Sequence, residues 1–113
     1  MRIIQESVPG KQITMAHIIA SPDEVIYKKL GLDPKVDYHR SAIGVLTLTP
    51  SETAIITADL AIKASNIQFG FIDRFSGTLI ITGTISDVNI AFERILEYTS
   101  SELSFTVCRI TKA

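Results

Sequence analysis

The sequence is short of several residue types, and each shortage excludes a class of protein. Its 113 residues include one cysteine and no tryptophan. A single cysteine cannot form an internal disulfide, so the expected compartment is the reducing cytoplasm. Charge of one sign is not in excess, because eleven basic side chains face twelve acidic ones. That balance argues against a protein that binds nucleic acid or an anionic membrane by bulk attraction.

Long apolar runs are also missing. The longest stretch without a charged residue covers only residues 75–86, which is too short to span a bilayer. The first six residues contain no apolar core of the kind that a secretion signal needs. The mean hydropathy of +0.29 is nevertheless high for so small a domain. It predicts that some apolar surface is buried against other copies of the chain.

Periodicity predicts five strands. Residues 11–20 alternate, with four residues on one face: Ile13, Met15, His17 and Ile19. Residues 42–48 form a short apolar run typical of a buried strand. Residues 67–71 and 78–85 read as two strands joined by a hairpin loop at residues 73–77, and residues 104–111 read as the last strand.

Three helices are predicted from their start signals. Ser21 as N-cap with Pro22 next to it opens the first helix, which should end at Gly31. Thr49 and Pro50 repeat this device before a second helix, whose small residues recur at helical spacing: Ala54, Ala58, Ala61, Ala64 and Ser65. Such a stripe would let the helix lie close to a sheet or to another helix. Ser86-Asp87 opens the third helix, whose shared apolar face comprises Val88, Ala91, Phe92, Ile95 and Leu96.

The predicted order β-α-β-α-β-β-α-β ends in the β-α-β-β-α-β pattern of ferredoxin-like folds. We therefore expect an α+β fold, with an antiparallel sheet, helices on one face, and an extra strand and helix in front. Residues 1–10 form a separate N-terminal segment, and residues 11–113 form one domain. This fold hosts many functions and decides none of them.

No residue cluster predicts catalysis, a metal or a cofactor. Cys108 lies within an apolar strand, where cysteines are usually inert. His17 is surrounded by apolar residues and is expected to be a partly buried structural histidine. His39 lies in a polar loop, predicted over residues 32–40, and is expected to be solvated. These three residues lack the spacing of a zinc site.

Several runs of residues resemble the bacterial microcompartment (BMC) shell proteins. They are residues 42–52 (AIGVLTLTPSE), 59–64 (DLAIKA) and 70–77 (GFIDRFSG). Residues 8–20 (VPGKQITMAHIIA) resemble a narrower branch, the circularly permuted, single-domain hexameric shell proteins of the ethanolamine- and propanediol-utilisation type. In ordinary members, the strand that carries His17 and the helix after it come last. Here they come first.

The resemblance implies structural work in a shell inside the cytoplasm. Six copies would form a disc, and discs would tile with other shell proteins around encapsulated enzymes. The hairpin loop would then rim a central pore with Arg74, Phe75, Ser76 and Gly77, unless it is only a tight turn. We expect Arg74 to pair with Asp73 or to point away from the axis, because six like charges in a narrow channel repel.

The resemblance also implies an edge between discs that carries Lys63 and Asn66. Lys63 follows Asp59 by four residues, so it can pair along its own helix or reach a neighbouring subunit. Two features depart from the usual pattern. The loop at residues 32–40 is longer, and the edge motif Pro-Arg-Pro-His becomes Ala20-Ser21-Pro22-Asp23, without its arginine.

The N-terminal segment is predicted to cover the pore. Its residues Ile3, Ile4, Gln5, Glu6, Ser7 and Val8 are too few for a stable helix, but six such strands could pair around the axis into a small closed barrel. A frayed tail is the alternative. For the whole chain, the alternative function is an oligomeric ferredoxin-like protein that binds a small-molecule regulator. Native mass separates a hexamer from such a regulator.

Overall fold

The structure is a computed structural model that describes residues 10–32 and 41–113. Residues 33–40 of the loop predicted at 32–40, with His39, and the predicted cap strand from Ile3 to Val8 lie outside the described residues. Nine elements are described there, in the chain order β1 (Gln12–Ile19), α1 (Glu24–Lys29), β2 (Ala42–Thr49), α2 (Thr53–Ala64), β3 (Gln68–Asp73), β4 (Thr78–Gly83), α3 (Ile85–Glu102), β5 (Thr106–Val107) and β6 (Thr111–Lys112).

The strands form one sheet in the order β3-β4-β2-β1-β5, with β6 also paired to β1. The α+β class is confirmed, and β1 to β4 pair antiparallel as predicted. The last strand differs from the prediction: it is two short strands, and both run parallel to β1. The reason is the connection through α3. This helix begins where β4 ends and returns the chain to the end of the sheet where β1 begins. The strand after such a crossover runs parallel to β4. It also runs parallel to β1, because β1 and β4 are both antiparallel to β2.

A bulge changes the face that β1 presents. The pairing with β2 shifts register between Ile13 and Met15. Ile13 is buried, but beyond the bulge the buried residues are Ala16 and Ile18, and Met15 is exposed. The predicted alternating face is therefore wrong after Ile13, because one extra residue in a strand moves every later side chain to the other face.

The main core lies between the sheet and the pair α2 and α3. The stripe of Ala54, Ala58 and Ala61 is buried there, as its small residues predict. Gly44 of β2 marks the closest approach of α3, since an added Cβ would lie 2.6 Å from Val88 Cγ1 and 2.7 Å from Phe92 Cζ. The predicted inner face of α3 is confirmed, apart from Leu96, which is only half-buried.

The first helix departs from the prediction that the helices share one face. Tyr27 of α1 packs with Leu32, Ile43 and Ile80 on the opposite side of the sheet from α2 and α3. The Tyr27 hydroxyl donates to the Ser41 carbonyl oxygen at 2.9 Å. Alternate residues of β2 point to opposite faces, so this strand supplies Ile43 to the second cluster and Leu46 to the main core.

Helix starts lie later or earlier than predicted. Asp23, rather than Ser21, caps α1 by accepting from the Val25 amide. Thr84, rather than Ser86, caps α3 by accepting from the Asp87 amide at 3.0 Å. Thr49 remains in β2 and does not cap α2. For α1 and α3 the N-cap is the residue with a β-region backbone next to the first helical turn, which the sequence motif alone does not locate. The N-cap of α2 is Glu52, whose backbone is already helical and whose side chain makes no cap hydrogen bond.

The end of α1 at Gly31 is confirmed. Gly31 has a φ of +72°, and its amide donates to the Lys28 carbonyl oxygen at 3.0 Å. The Leu32 amide donates to the Tyr27 carbonyl oxygen at 3.2 Å. These two bonds form a Schellman motif, which closes a helix with a left-handed residue.

Candidate functional site: the hairpin loop and the α2 terminus

The hairpin loop between β3 and β4 is organised by one carboxylate. Asp73 Oδ1 accepts from the amides of Phe75 at 2.8 Å and Ser76 at 3.3 Å, and Oδ2 accepts from the Ser76 hydroxyl at 2.8 Å. The Phe75 amide is the main cause that lowers the pKa of the Asp73 carboxyl, and Ser76 adds to it. Hydrogen bonds to the charged form of a carboxyl have this effect. The loop is thus held as an Asx turn, a role the sequence analysis did not assign to Asp73, although Asp at the first position of a tight turn signals it.

Arg74 and Phe75 form the tip of this loop. The Arg74 guanidinium lies 4.8 Å from the centre of the Phe75 ring. Phe75 is 80% exposed, the most exposed large apolar side chain among the described residues. Arg74 forms no ion pair with Asp73, because the loop's own donors occupy that carboxylate, although the charge of Arg74 also helps to lower the pKa of Asp73. The guanidinium lies over the Phe75 ring instead. The other predicted arrangement, with Arg74 pointing away from the six-fold axis, stays a prediction.

Gly77 closes the loop in a conformation that only glycine fits. Its φ is +76°, and an added Cβ would lie 2.2 Å from the Leu48 carbonyl oxygen. The Gly77 amide donates to the Asp73 carbonyl oxygen at 2.9 Å, and the Gly77 carbonyl oxygen accepts from the Leu48 amide at 2.9 Å. The structure therefore brings all four predicted loop residues, from Arg74 to Gly77, into one anchored turn.

The two predicted edge residues lie at the other end of β3. Lys63 is in the last turn of α2, and Asn66 follows the helix just before β3 begins. Both are exposed. Lys63 Nζ lies 2.9 Å from Asp59 Oδ2, with the lysine side chain 72% exposed, so this i,i+4 pair is worth only about 0.3–0.5 kcal/mol. A strand of six residues is about 20 Å long, so the loop and the edge residues are well separated.

The residues considered for chemistry are built into the β1 edge. His17 Nδ1 lies 2.6 Å from Thr111 Oγ1, which links β1 to β6, and the ring is half-buried as predicted. Cys108 is half-buried, and burial raises the pKa of its thiol. A thiol with a raised pKa is a poor nucleophile at neutral pH. Within residues 10–32 and 41–113, no group of three metal-ligating side chains comes together. None of the described helices is both long and apolar enough to cross a membrane.

Comparison with known families identifies the protein family to which this chain belongs. The BMC domain matches residues 42–110, which is more than half of the chain. This chain is a member of the BMC-domain family. The match begins at the first residue of β2, so β1 and α1 precede it.

Relatives of known name cover nearly the whole chain. It is 54% identical over 112 residues to the bacterial microcompartment shell protein CutR of Streptococcus intermedius, with 99% of this chain and 92% of CutR covered. It is 49% identical over 112 residues to the shell protein EutS of Salmonella typhimurium, with 99% and 96% covered. The resemblance to BMC shell proteins in the sequence analysis is confirmed.

Solved structures agree with this assignment. The CutR flat hexamer matches with a TM-score of 0.85 and 52% identity over 100% of both chains. The described residues of this BMC-domain protein therefore have the fold of a shell-protein subunit.

Proposed function

We propose that this BMC-domain protein is a structural subunit that forms homohexameric discs and tiles, with other shell proteins, the shell of a microcompartment in the bacterial cytoplasm. The observation that carries the proposal is the full-length match to the flat hexamer of a relative at 52% identity. The proposal includes no catalytic activity for this chain. The enzymes that the shell would enclose are its cargo or partners.

The exposed apolar side chains support association between copies. Contact between copies would bury these side chains, which are otherwise in water. They lie on α2 and on the edge strand β3, among other places: Ile55, Ile56, Ile62, Phe69, Phe71 and Ile72. The small-residue stripe of α2 is already buried in the core of the protomer. The outer face of α2, rather than its alanine face, is therefore the part of this helix that is available to a second copy.

We assign the loop Arg74–Gly77 to the rim of the central pore, and Lys63 and Asn66 to the outer edge of the disc. The two sets lie at opposite ends of β3, which suits one place near the six-fold axis and one at the periphery. The ion pair of Lys63 with Asp59 is weak and exposed, so Lys63 can leave it at little cost and contact a neighbouring disc instead.

The proposal also includes the circular permutation and the capped pore. The BMC match begins at β2, and the strand and helix ahead of it, β1 and α1, pack on the same sheet as the matched part. An element that moves from the end of a chain to its beginning keeps its place when the termini lie close together. The cap strand from Ile3 to Val8 would then close the pore on one face of the disc.

Native mass spectrometry tests the assembly. At micromolar concentration we expect the mass of six chains, and only monomers would contradict the proposal. A discrete trimer that binds a small molecule would favour the regulatory alternative.

Electron microscopy tests the edge. Lys63→Ala should keep the hexamer and weaken the formation of sheets or tubes. Ser101→Ala, at an exposed position in α3, is the control. Assembly of Lys63→Ala indistinguishable from wild type would remove Lys63 from the proposed edge.

A further inference from the structure

The pairing between β1 and the two short strands beside it is interrupted in the middle. The first two residues of β1 pair with β5, and His17 and Ile18 pair with β6. The gap holds three residues on each side, residues 14–16 and 108–110, so the register is the same before and after it. The two stretches of chain therefore part from each other here and meet again beyond the gap.

The bulge in β1 accounts for the gap. The register with β2 shifts between Ile13 and Met15, at the start of the same stretch. A bulge bends its strand and increases the local twist, which moves the edge of β1 away from the chain next to it. Residues that would otherwise complete one continuous parallel ladder line an opening instead.

This opening is a cleft of about 340 Å³, lined by residues 14–16 and 108–111. Between Ile13 and His17, where the pairing stops and resumes, an extended strand advances by about 13 Å. One end is held by the contact of His17 Nδ1 with Thr111 Oγ1 at 2.6 Å. Volumes of this size are typical of sites that bind small molecules.

Part of the lining is apolar on both sides. Met15 lines the cleft from β1 and is 46% exposed, because the bulge turns it out of the core. Ile110 lines it from the other stretch of chain and is half-buried. A ligand with an apolar chain would remove both side chains from water, which favours its binding.

Arg109 brings a positive charge to the same cleft. The ion pairs within residues 10–32 and 41–113 join Lys63 to Asp59 and Arg94 to Glu97, so Arg109 takes part in neither. The described lining of the cleft contains no acidic side chain. A guanidinium binds a carboxylate through two parallel N–H donors. The cleft therefore offers one available cation to an anionic group.

The charge and the apolar lining together select the class of ligand. One guanidinium balances one negative charge, so a carboxylate suits the cleft better than a phosphate ester, which carries nearly two charges at pH 7. Met15 and Ile110 then require an aliphatic chain attached to that carboxylate, which inorganic anions lack.

We propose that the cleft between β1 and residues 108–111 is a binding site for a short-chain aliphatic carboxylate. Its carboxylate group pairs with Arg109, and its apolar chain packs on Met15 and Ile110. The site goes beyond the shell assignment, because it gives each subunit a place to hold a small metabolite. It is a site of binding, and no reaction is part of the proposal.

Cys108 provides a built-in reporter of this site. It lines the cleft and is the only cysteine of the chain. Burial raises the pKa of its thiol, and hydrogen bonds from the amides of Cys108 and Ala16 oppose this effect. A bound ligand would shield the sulfur further. The rate at which the neutral reagent N-ethylmaleimide alkylates the native protein, read by mass spectrometry, therefore measures how far the cleft is occupied.

Butyrate is the probe. We expect it to slow the alkylation of Cys108 severalfold at saturation, whereas n-butanol and sodium chloride at equal ionic strength should leave the rate unchanged. Each methylene should strengthen binding by up to about fourfold, so butyrate should bind more tightly than acetate. Saturation-transfer NMR of butyrate gives a second readout that does not depend on the thiol.

Two variants separate the charge from the apolar lining. Arg109→Gln should weaken butyrate binding by about tenfold, because a hydrogen-bonded ion pair is lost. Met15→Gln should flatten the dependence on chain length while butanol still fails to protect. Arg94→Gln, which removes an exposed arginine of α3, is the control and should leave the protection by butyrate unchanged. Native mass of every variant reports the hexamer separately.

Three outcomes would overturn the site while leaving the shell assignment intact. Equal slowing by chloride, phosphate and butyrate would mean an adventitious ion only. Butyrate that protects Arg109→Gln as well as it protects the wild type would exclude the pairing with Arg109. A wild-type thiol that butyrate does not protect, or that reacts only after unfolding in urea, would mean that the cleft is empty of ligand or closed by a neighbouring copy.

Discussion

Asp73 determines the shape of the hairpin loop through both of its carboxylate oxygens. It accepts hydrogen bonds from the backbone amides of Phe75 and Ser76 and from the Ser76 hydroxyl. An amide in its place would keep one acceptor and turn the other into a donor, so the Ser76 hydroxyl would have to accept from residue 73 instead of donating to it. The charge itself is therefore part of the turn.

We expect Asp73→Asn to lower the free energy of unfolding at pH 7. The pKa of Asp73 is lower in the folded chain than in the unfolded chain, so its contribution is complete above the ordinary aspartate pKa and is lost as the pH falls through the folded value. The difference between wild type and variant, from urea unfolding at a series of pH values, should therefore shrink below about pH 4. A difference that stays constant from pH 7 to pH 2.5 would contradict this role.

Substituting two glycines that have a similar backbone conformation distinguishes the cost of conformational strain from the cost of a steric clash. Gly77 has a φ of +76° and a Cβ there would meet the Leu48 carbonyl oxygen, whereas Gly31 has a φ of +72° and a Cβ would meet no described atom within 4 Å. Gly31→Ala should cost about 1 kcal/mol of stability, and Gly77→Ala about 2–4 kcal/mol. Thermal and urea unfolding measure both. Equal losses would mean that the loop moves aside to admit the methyl group.

At the scale of elements, the helix ends depend on which residue reaches the first free amides. Thr84 forms a reciprocal pair with Asp87, since its hydroxyl accepts from the Asp87 amide and donates to the Asp87 carboxylate, both at 3.0 Å. Ser86, which the sequence analysis chose as the start of this helix, lies inside its first turn. Both residues carry a hydroxyl that could cap a helix, so residue type does not determine which of them is the N-cap. Thr84 is the N-cap because it directly follows the last residue of β4.

We expect Thr84→Ala to lower the free energy of unfolding by about 1 kcal/mol, because the N-cap is lost. Ser86→Ala should change it by less than about 0.5 kcal/mol and could even be stabilising, since alanine favours a helix interior. Chemical unfolding of the two variants side by side makes the comparison. A larger loss in Ser86→Ala would show that the helix begins where the sequence motif suggested.

At the scale of the whole molecule, one face of the sheet is closed by α2 and α3, and an edge of it is open. Among the strands that the structure describes, β3 has a neighbour on one side only. Its exposed Phe69, Phe71 and Ile72 make it an edge that would aggregate unless another chain covers it. The proposed hexamer supplies that cover.

Phe71→Asp should therefore break the hexamer while leaving the protomer folded. A charge buried between copies without a partner costs far more than the same charge in water. Native mass spectrometry should show monomers, and the circular dichroism spectrum should keep its wild-type shape. Ser86→Asp, a new charge at an exposed position of α3, is the control and should remain hexameric. A hexameric Phe71→Asp would exclude β3 from the interface between copies.

The sequence by itself determined the class and the order of the elements as far as α3. The inner faces of α2 and α3, the hairpin and the end of α1 at Gly31 follow from local patterns, because periodicity, turn residues and glycine act within a few positions. The runs that resemble BMC shell proteins also lie in the sequence, and they indicate the family without reference to the tertiary structure.

Only the tertiary structure decided the bulge in β1, the side of the sheet that α1 covers, and the direction of the final strands. Each depends on pairing between residues far apart in the chain, such as Gln12 with Thr106. The stacking of Arg74 on Phe75 belongs here too. Whether a cation pairs with a carboxylate or lies over a ring depends on which other donors already bind that carboxylate. Here Phe75 and Ser76 donate to Asp73, and the Arg74 guanidinium lies over the Phe75 ring.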